Sequence, residues 1–260
     1  MEPTLALKKA DYEEEIGFFL GYGRLPAYWT DDHKATIRAC LNSGLRRFYY
    51  VSPEYGGPYE WSFLRPTATT TLTSATRAVA LPDDFGTFDG PLLLLSSDRS
   101  YWPVPLTGFV RQKVFDSPET TGQPQYAVDE PLAQSSGQRG QRRQLVVWPL
   151  ADQDYTLQFR YSLHPNALTD DRPYAYGGPA HGETIKEACL FAAEKDVDGV
   201  SEGPHSQDFR RCLLASMAFD ARNKPRVIGY NGDDSHASRG WHGRRDRDAP
   251  GVTFDGTLYD

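Results

Sequence analysis

Apolar positions recur at helical spacing near both ends of the chain and at strand spacing between them. In "TLALKKADYEEEIGFFLG" a threonine precedes Leu5, Tyr12, Ile16 and Phe19, which share one side of a helix, and Gly21 and Gly23 end the run. "TDDHKATIRACLNSGLRRFYY" predicts a second helix, with Thr30 as N-cap, Asp31 and Asp32 in the first turn, and an apolar stripe of Ile37, Cys40, Leu41, Leu45 and Phe48. Helical spacing returns late in the chain. "HGETIKEACLFAAEKD" places Ile185, Cys189 and Ala192 on one face, and "HSQDFRRCLLASMAFDARNK" places Phe209, Leu213 and Met217 together with Leu214 and Phe219 beside them. The intervening "VDGVSEGP" reads as a tight helix-to-helix turn.

Between the helical ends the pattern is of short β-rich runs broken by Pro, Gly and Asp, as in an antiparallel all-β unit. The candidate strands are "YEWSFLRP", "TATTTLTSATRAVALP", "PLLLLSS", "VPLTGFVRQKVF", "PQYAVDE", "RQLVVWPL" and "YTLQFRYSL", with "PDDFGTFDG" and "SSGQRGQRR" as turns. The pattern therefore predicts an α+β chain: residues 1–54 supply N-terminal helices of a bundle, 55–163 an inserted β-sandwich or barrel, and 164–224 the C-terminal helices of the bundle. Residues 225–260 lose long periodicity and fill with Gly, Asp, Arg and Ser, yet keep Trp241, Phe254 and Tyr259. Such a segment reads as an extended arm that orders on a partner, with its aromatics as anchors.

Composition narrows the class. Hydrophobic residues make up 39% of the chain, enough for a core, and the longest apolar run, Leu92 to Leu95, is strand-sized, so no membrane span is expected. The N-terminus has no basic start followed by an apolar core, so no secretory signal is expected and the protein should act where it is translated. The three cysteines, Cys40, Cys189 and Cys212, lie in apolar-periodic segments and read as buried thiols of a reducing compartment. A net charge of -7 argues against a surface built to grip nucleic acid, which needs clustered Lys and Arg.

The richest candidate for chemistry is "YSLHPNALTDDRPYAYGGPAHG", where His164 and His181 flank Asp170 and Asp171. A hydrolase or metal role would require these side chains to converge, and no HExxH, CxxC, phosphate loop, dinucleotide fingerprint or nucleophile elbow accompanies them. Two turns leading into a helix N-terminus account for the same residues more simply. No catalytic residue, cofactor or metal is assigned. Arg139, Arg142 and Arg143 sit at a hairpin tip, either as a solvated turn or as a contact to an acidic partner or DNA.

Several phrases in order carry a family likeness: "YEWSFLRP", "VALPDDFG", "QPQYAV", the long run from "LVVWPLADQDYTLQFRYSL" through "GGPAHGETIKEACLFAAEKD", and "FRRCLLASMAFDARNKPRVIGYNGD". From Tyr59 to Gly232 the chain resembles the head-to-tail adaptor proteins of tailed bacteriophages, also called connector or head-completion proteins. The resemblance implies a virion protein at the capsid-tail neck, assembled in the host cytoplasm. It implies a ring, usually of twelve copies, fixed beneath the portal, extending the DNA channel for genome ejection and presenting a surface to a tail, stopper or terminator protein. It further implies an arm that reaches the portal. On this reading the contact residues in the arm are Arg239, Trp241, Arg244, Arg245 and Phe254, since an aromatic between guanidinium groups can anchor in a pocket with acidic rims. The acidic balance then suits double-stranded DNA passing the lumen without sequence-specific binding. The alternative is a carbohydrate-binding or adhesin-like tail accessory protein, stacking Trp61, Trp102 or Trp148 on sugars.

Overall fold

A computed structural model describes residues 4–55, 58–95, 99–101, 120–134, 136–223, 252–254 and 257–259. The chain divides into two units, Met1–Asn223 and Lys224–Asp260. In the first, the described residues form four α-helices, α1 (Lys9–Phe19), α2 (Asp31–Tyr49), α3 (Gly182–Asp196) and α4 (Pro204–Asn223), and ten strands between α2 and α3. The architecture is α+β.

Each helix follows from local chemistry. The Thr30 hydroxyl accepts from the His33 N–H at 3.2 Å, which caps α2 as expected, and Ile37, Cys40, Leu41, Leu45 and Phe48 are all buried. Helix α1 begins later than its periodicity suggests: Lys9 is its first residue and Leu5 lies outside it, 86% exposed. It ends where Gly21 and Gly23 take positive φ angles of 78° and 79°. Helix α3 is the centre of the helical layer, packing on α1, α2 and α4. Its approach to α2 is close because Gly44 lacks a side chain; a Cβ there would fall 2.6 Å from the Cys189 backbone. On α4, Phe209 and Leu213 are buried and Met217 packs at the edge, but Leu214 and Phe219 are exposed by 53% and 45%. The expectation that those two join the apolar face is corrected: only one narrow stripe of α4 meets α3.

The strands form two main antiparallel sheets. The longer runs β1 (Thr67–Leu72), β10 (Tyr155–Leu163), β4 (Leu92–Leu94) and β5 (Arg99–Tyr101), with β3 (Phe85–Phe88) on the far half of β10. The second joins β2 (Ala78–Ala80), β8 (Arg143–Trp148) and β7 (Tyr126–Pro131). Strand β10 alternates strictly: Tyr155, Leu157, Phe159, Tyr161 and Leu163 are buried and the residues between them are less so. Leu92, Leu94 and Leu157 of the first sheet and Ala127, Leu145 and Val147 of the second line one apolar seam. Face-to-face sheets are what the pattern predicts, but they do not close into a barrel. A two-residue pair, β6 (Thr121–Gly122) with β9 (Leu150–Ala151), is parallel, so the β region is not wholly antiparallel.

Two local readings are corrected. "YEWSFLRP" is not a strand: it holds a 3-10 turn, Ser62–Leu64, and Trp61 is 1% exposed. "PDDFGTFDG" is not only a turn, since it contains β3. "VPLTGFVRQKVF" and Trp102 lie outside the described residues. The hydrophobic cluster spans both layers, from Ile16, Phe48, Ile185 and Phe209 on the helices to Leu72, Leu145 and Phe159 on the strands. No disulfide forms among the cysteines: Cys40 and Cys189 are buried, while Cys212 is only half-buried, a partial correction. In the second unit, β11 (Val252–Phe254) and β12 (Thr257–Tyr259) pair antiparallel as a short hairpin.

Candidate interaction surfaces

The stretch after β10 disperses its titratable side chains. The His164 N–H donates to the Asp84 carbonyl at 2.7 Å, and its exposed ring places Nδ1 3.2 Å from the Tyr50 hydroxyl. Asp170 pairs with Lys9 at 2.8 Å and is 94% exposed; the hydrogen bond from Lys9 holds its carboxyl below the usual range. His181, only 2% exposed, lies elsewhere, ringed by Phe48, Trp61, Phe63 and Phe219 at centroid distances of 5.2–5.8 Å. Three different surroundings hold the three groups that a hydrolase would need together. Among the described residues no group of three or more His, Cys, Asp or Glu side chains could hold a metal ion.

The aromatic cage is built from the turn that the sequence pattern misassigns. Trp61 donates its indole N–H to the Phe48 carbonyl at 3.1 Å, near the C-terminus of α2 where helix carbonyls lack intrahelical donors. Asp220, 2% exposed on α4, accepts from the Tyr59 hydroxyl at 2.8 Å and from both the backbone N–H and the hydroxyl of Ser62. Residues 59–62 thereby tie α2 to α4, with the His181 ring between them. Gly177, at φ 100°, admits that ring: a Cβ there would meet it at 2.8 Å.

Burial pushes the His181 imidazole below the usual histidine range, against the opposing pull of Asp220. Its Nδ1 is buried with no hydrogen-bond partner among the described residues. The neutral ring is thus favoured in the folded state, while the unfolded chain protonates it near pH ~6.5. Its stabilising contribution is complete above that pH and is lost as pH falls toward the depressed folded value. Urea midpoints measured from pH 7.5 to 5 should fall more steeply for the natural chain than for His181→Phe, which keeps a ring in the cage. Equal slopes would show that His181 does not titrate against folding.

The β7–β8 hairpin carries Arg139 and Arg142 in its loop, as the sequence predicts, while Arg143 is the first residue of β8. Arg142 pairs with Asp83 at 2.9 Å, and Arg143 reaches Asp129 across the hairpin at 2.5 Å. Arg139 is exposed and, among the described residues, makes no ion pair. The loop walls a groove of about 720 Å³ with Asp83, Asp84, His164 and Asn166. A second groove of about 340 Å³, lined by Arg46, Tyr49 and Tyr50, shares Pro165 and Asn166 with it. Both are open at the surface; the first carries both signs of charge and the second a single charged side chain, Arg46.

Of the arm residues, Arg239, Trp241, Arg244 and Arg245 lie outside the described residues, and Phe254 stands in β11 opposite Thr257. The model of one family, the SU10 adaptor protein, matches residues 14–229. The chain belongs to that family. The match begins within α1, runs past the end of α4 and includes every strand between α2 and α3. No curated protein matches the chain. As a bacteriophage adaptor protein it is a structural component of the virion that associates with other head and tail proteins. Of the tryptophans considered for sugar stacking in this adaptor, Trp61 is enclosed in the core and Trp148 is half-buried.

Proposed function

We propose that this adaptor forms a closed ring of twelve copies between the portal and the tail, extends the DNA channel, and offers the docking surface for a tail, stopper or terminator protein. The family match over residues 14–229 carries this reading. Net charge supports it: a chain of charge -7, repeated around a lumen, would repel duplex DNA enough for threading and ejection without adhesion. In this scheme the arm from Pro225 to Asp260 clasps the portal through Arg239, Trp241, Arg244, Arg245 and Phe254. The hairpin tip with Arg139, Arg142 and Arg143 belongs to the surface that meets the next component.

Electron microscopy of the particle neck tests the ring directly, with a rotationally symmetric collar of this chain at the portal vertex as the expected result. Its absence from the vertex would overturn the reading. Truncation after Asn223 tests the arm. The remaining unit is expected to unfold at an unchanged denaturant midpoint yet to lose binding to portal-bearing capsids; undiminished binding would remove the arm from the mechanism.

A further inference from the structure

Two helices of the bundle present outward faces of opposite sign. On α4 the residues turned away from α3 include Arg211, Leu214, Ala215, Ala218 and Arg222, all exposed. Arg211 and Arg222 lie eleven residues apart, roughly 16 Å along the axis, with an exposed leucine and two small side chains between them. The small residues make a shallow saddle against which another helix can lie closely, and the arginines flank it. Arg211 also touches Asp208, one turn back, at 3.0 Å, whereas Arg222 is in no ion pair among the described residues.

Helix α1 carries the complementary face. Asp11, Glu14 and Glu15 line its outer side, and Glu183 at the start of α3 extends the negative patch along a surface groove of about 270 Å³. The cations nearby are already partnered: Lys186 with Glu183, and Arg24 with Glu15. Glu14 is in no ion pair among the described residues. Phe18, 58% exposed, stands one turn beyond Glu14 with the Arg24 guanidinium over one side of its ring at 4.4 Å, and its remaining surface supplies this face with its own apolar contact. Both helices pack on α3, and they meet each other where Phe19 and His205 approach at 5.0 Å. One chain therefore displays two different, charge-complementary helix faces.

We infer that the acidic α1 face of one copy docks on the basic α4 face of the next, so that the lateral contact is heterologous, with Leu214 and Phe18 inside it and the Arg211, Arg222 and Glu14 charges paired across it. Such a contact uses each face once and leaves every copy able to bind a neighbour on either side, which is the requirement for ring closure. This inference rests on the ring reading, but its test is independent of the portal.

Two full-length variants probe it by sedimentation velocity across a concentration series. Arg211→Glu with Arg222→Glu makes both faces acidic; Glu14→Arg with Glu15→Arg makes both faces basic. Circular dichroism checks that both variants fold; the melting temperature should be unchanged for the first and slightly lower for the second, which releases Arg24 from Glu15. The natural chain should self-associate, more weakly as salt rises, and each variant alone should associate at least ~10-fold more weakly because like charges face each other. An equimolar mixture of the two should restore association, since every α1 face then finds an α4 face of opposite sign; a misfolded variant could not be rescued in this way. Variants that associate as the natural chain does, a mixture that stays dissociated, or a natural chain that stays monomeric throughout would each overturn the inference. Absence of the chain from the particle neck would instead remove the ring reading while leaving a restored mixture intact.

Discussion

Asp220→Ala is expected to destabilise the chain by about 3–5 kcal/mol, among the largest effects of any single substitution. Three donors converge on this carboxylate: the Tyr59 hydroxyl, the Ser62 N–H and the Ser62 hydroxyl. Removing the acceptor strands the two Ser62 donors, while the Tyr59 hydroxyl keeps the Met217 carbonyl at 3.1 Å; the carboxylate itself is 2% exposed, and each buried group so stranded costs about 1–3 kcal/mol. The loss is also mechanical, because this is the attachment of the 59–62 turn to α4. Asp220→Asn, which keeps one acceptor oxygen and adds an unwanted donor, should cost about half as much. Denaturant unfolding checks both. A loss below ~1 kcal/mol for the alanine variant would mean that water or relaxation satisfies the stranded donors and that the carboxylate does not hold the turn.

Trp61→Ala should cost about 3–5 kcal/mol for the cavity alone. The indole is 1% exposed and packs on Phe48, Tyr59, Phe63 and His181 at centroid distances of 4.7–5.4 Å. Its N–H also occupies the Phe48 carbonyl, one of the acceptors that the end of α2 leaves open. Trp61→Phe separates the two contributions: it fills most of the cavity and loses the hydrogen bond, so it should lie roughly 1–2 kcal/mol below the natural chain. If the phenylalanine variant is as damaging as the alanine one, the hydrogen bond rather than packing dominates. If alanine is tolerated with a loss under ~1 kcal/mol, the turn is not a structural joint. Because Trp61 contacts His181, its alanine variant should also flatten the pH dependence described for that histidine, by opening the cage to water.

The helices were readable because their signals are local. Thr30, two acidic residues after it and a stripe from Ile37 to Phe48 specify both the start and the buried face of α2 without reference to anything distant. The same is true of β10, whose period-two alternation survives in the burial of Tyr155, Leu157, Phe159, Tyr161 and Leu163. The 59–64 turn misled for a specific reason: Tyr59, Trp61 and Phe63 alternate with polar residues as a half-buried strand would. Alternation reports that every second side chain seeks apolar surroundings, and a turn wedged between two helices meets that demand as well as a sheet does. Strand β3 was hidden in the opposite way, because Gly and Asp dominate its neighbourhood and its partner, the far half of β10, lies more than seventy residues later.

The interaction surfaces were less legible than the fold. Periodicity placed Leu214 and Phe219 toward the core, but the width of a buried stripe depends on how many neighbours a helix has, and among the described residues α4 packs mainly on α3. Exposure of Leu214 between two arginines, and the opposite sign of α1, emerge only once both helices are seated on α3. The basic hairpin tip was visible as composition, whereas its pairing of Arg142 with Asp83 and Arg143 with Asp129 depends on strand register.

From sequence alone came the α+β class, the faces of α2 and α3, the alternation of β10, the position of the basic loop and the likeness to phage adaptors, since each is written in neighbouring residues or in the order of phrases. Tertiary structure alone decided that Asp220 anchors a turn 158 residues away, that aromatic rings enclose His181, and that the sheets stack without closing. The division has one cause. Near-neighbour chemistry sets what each segment wants to bury, but which distant segment satisfies it is chosen by packing the whole chain at once.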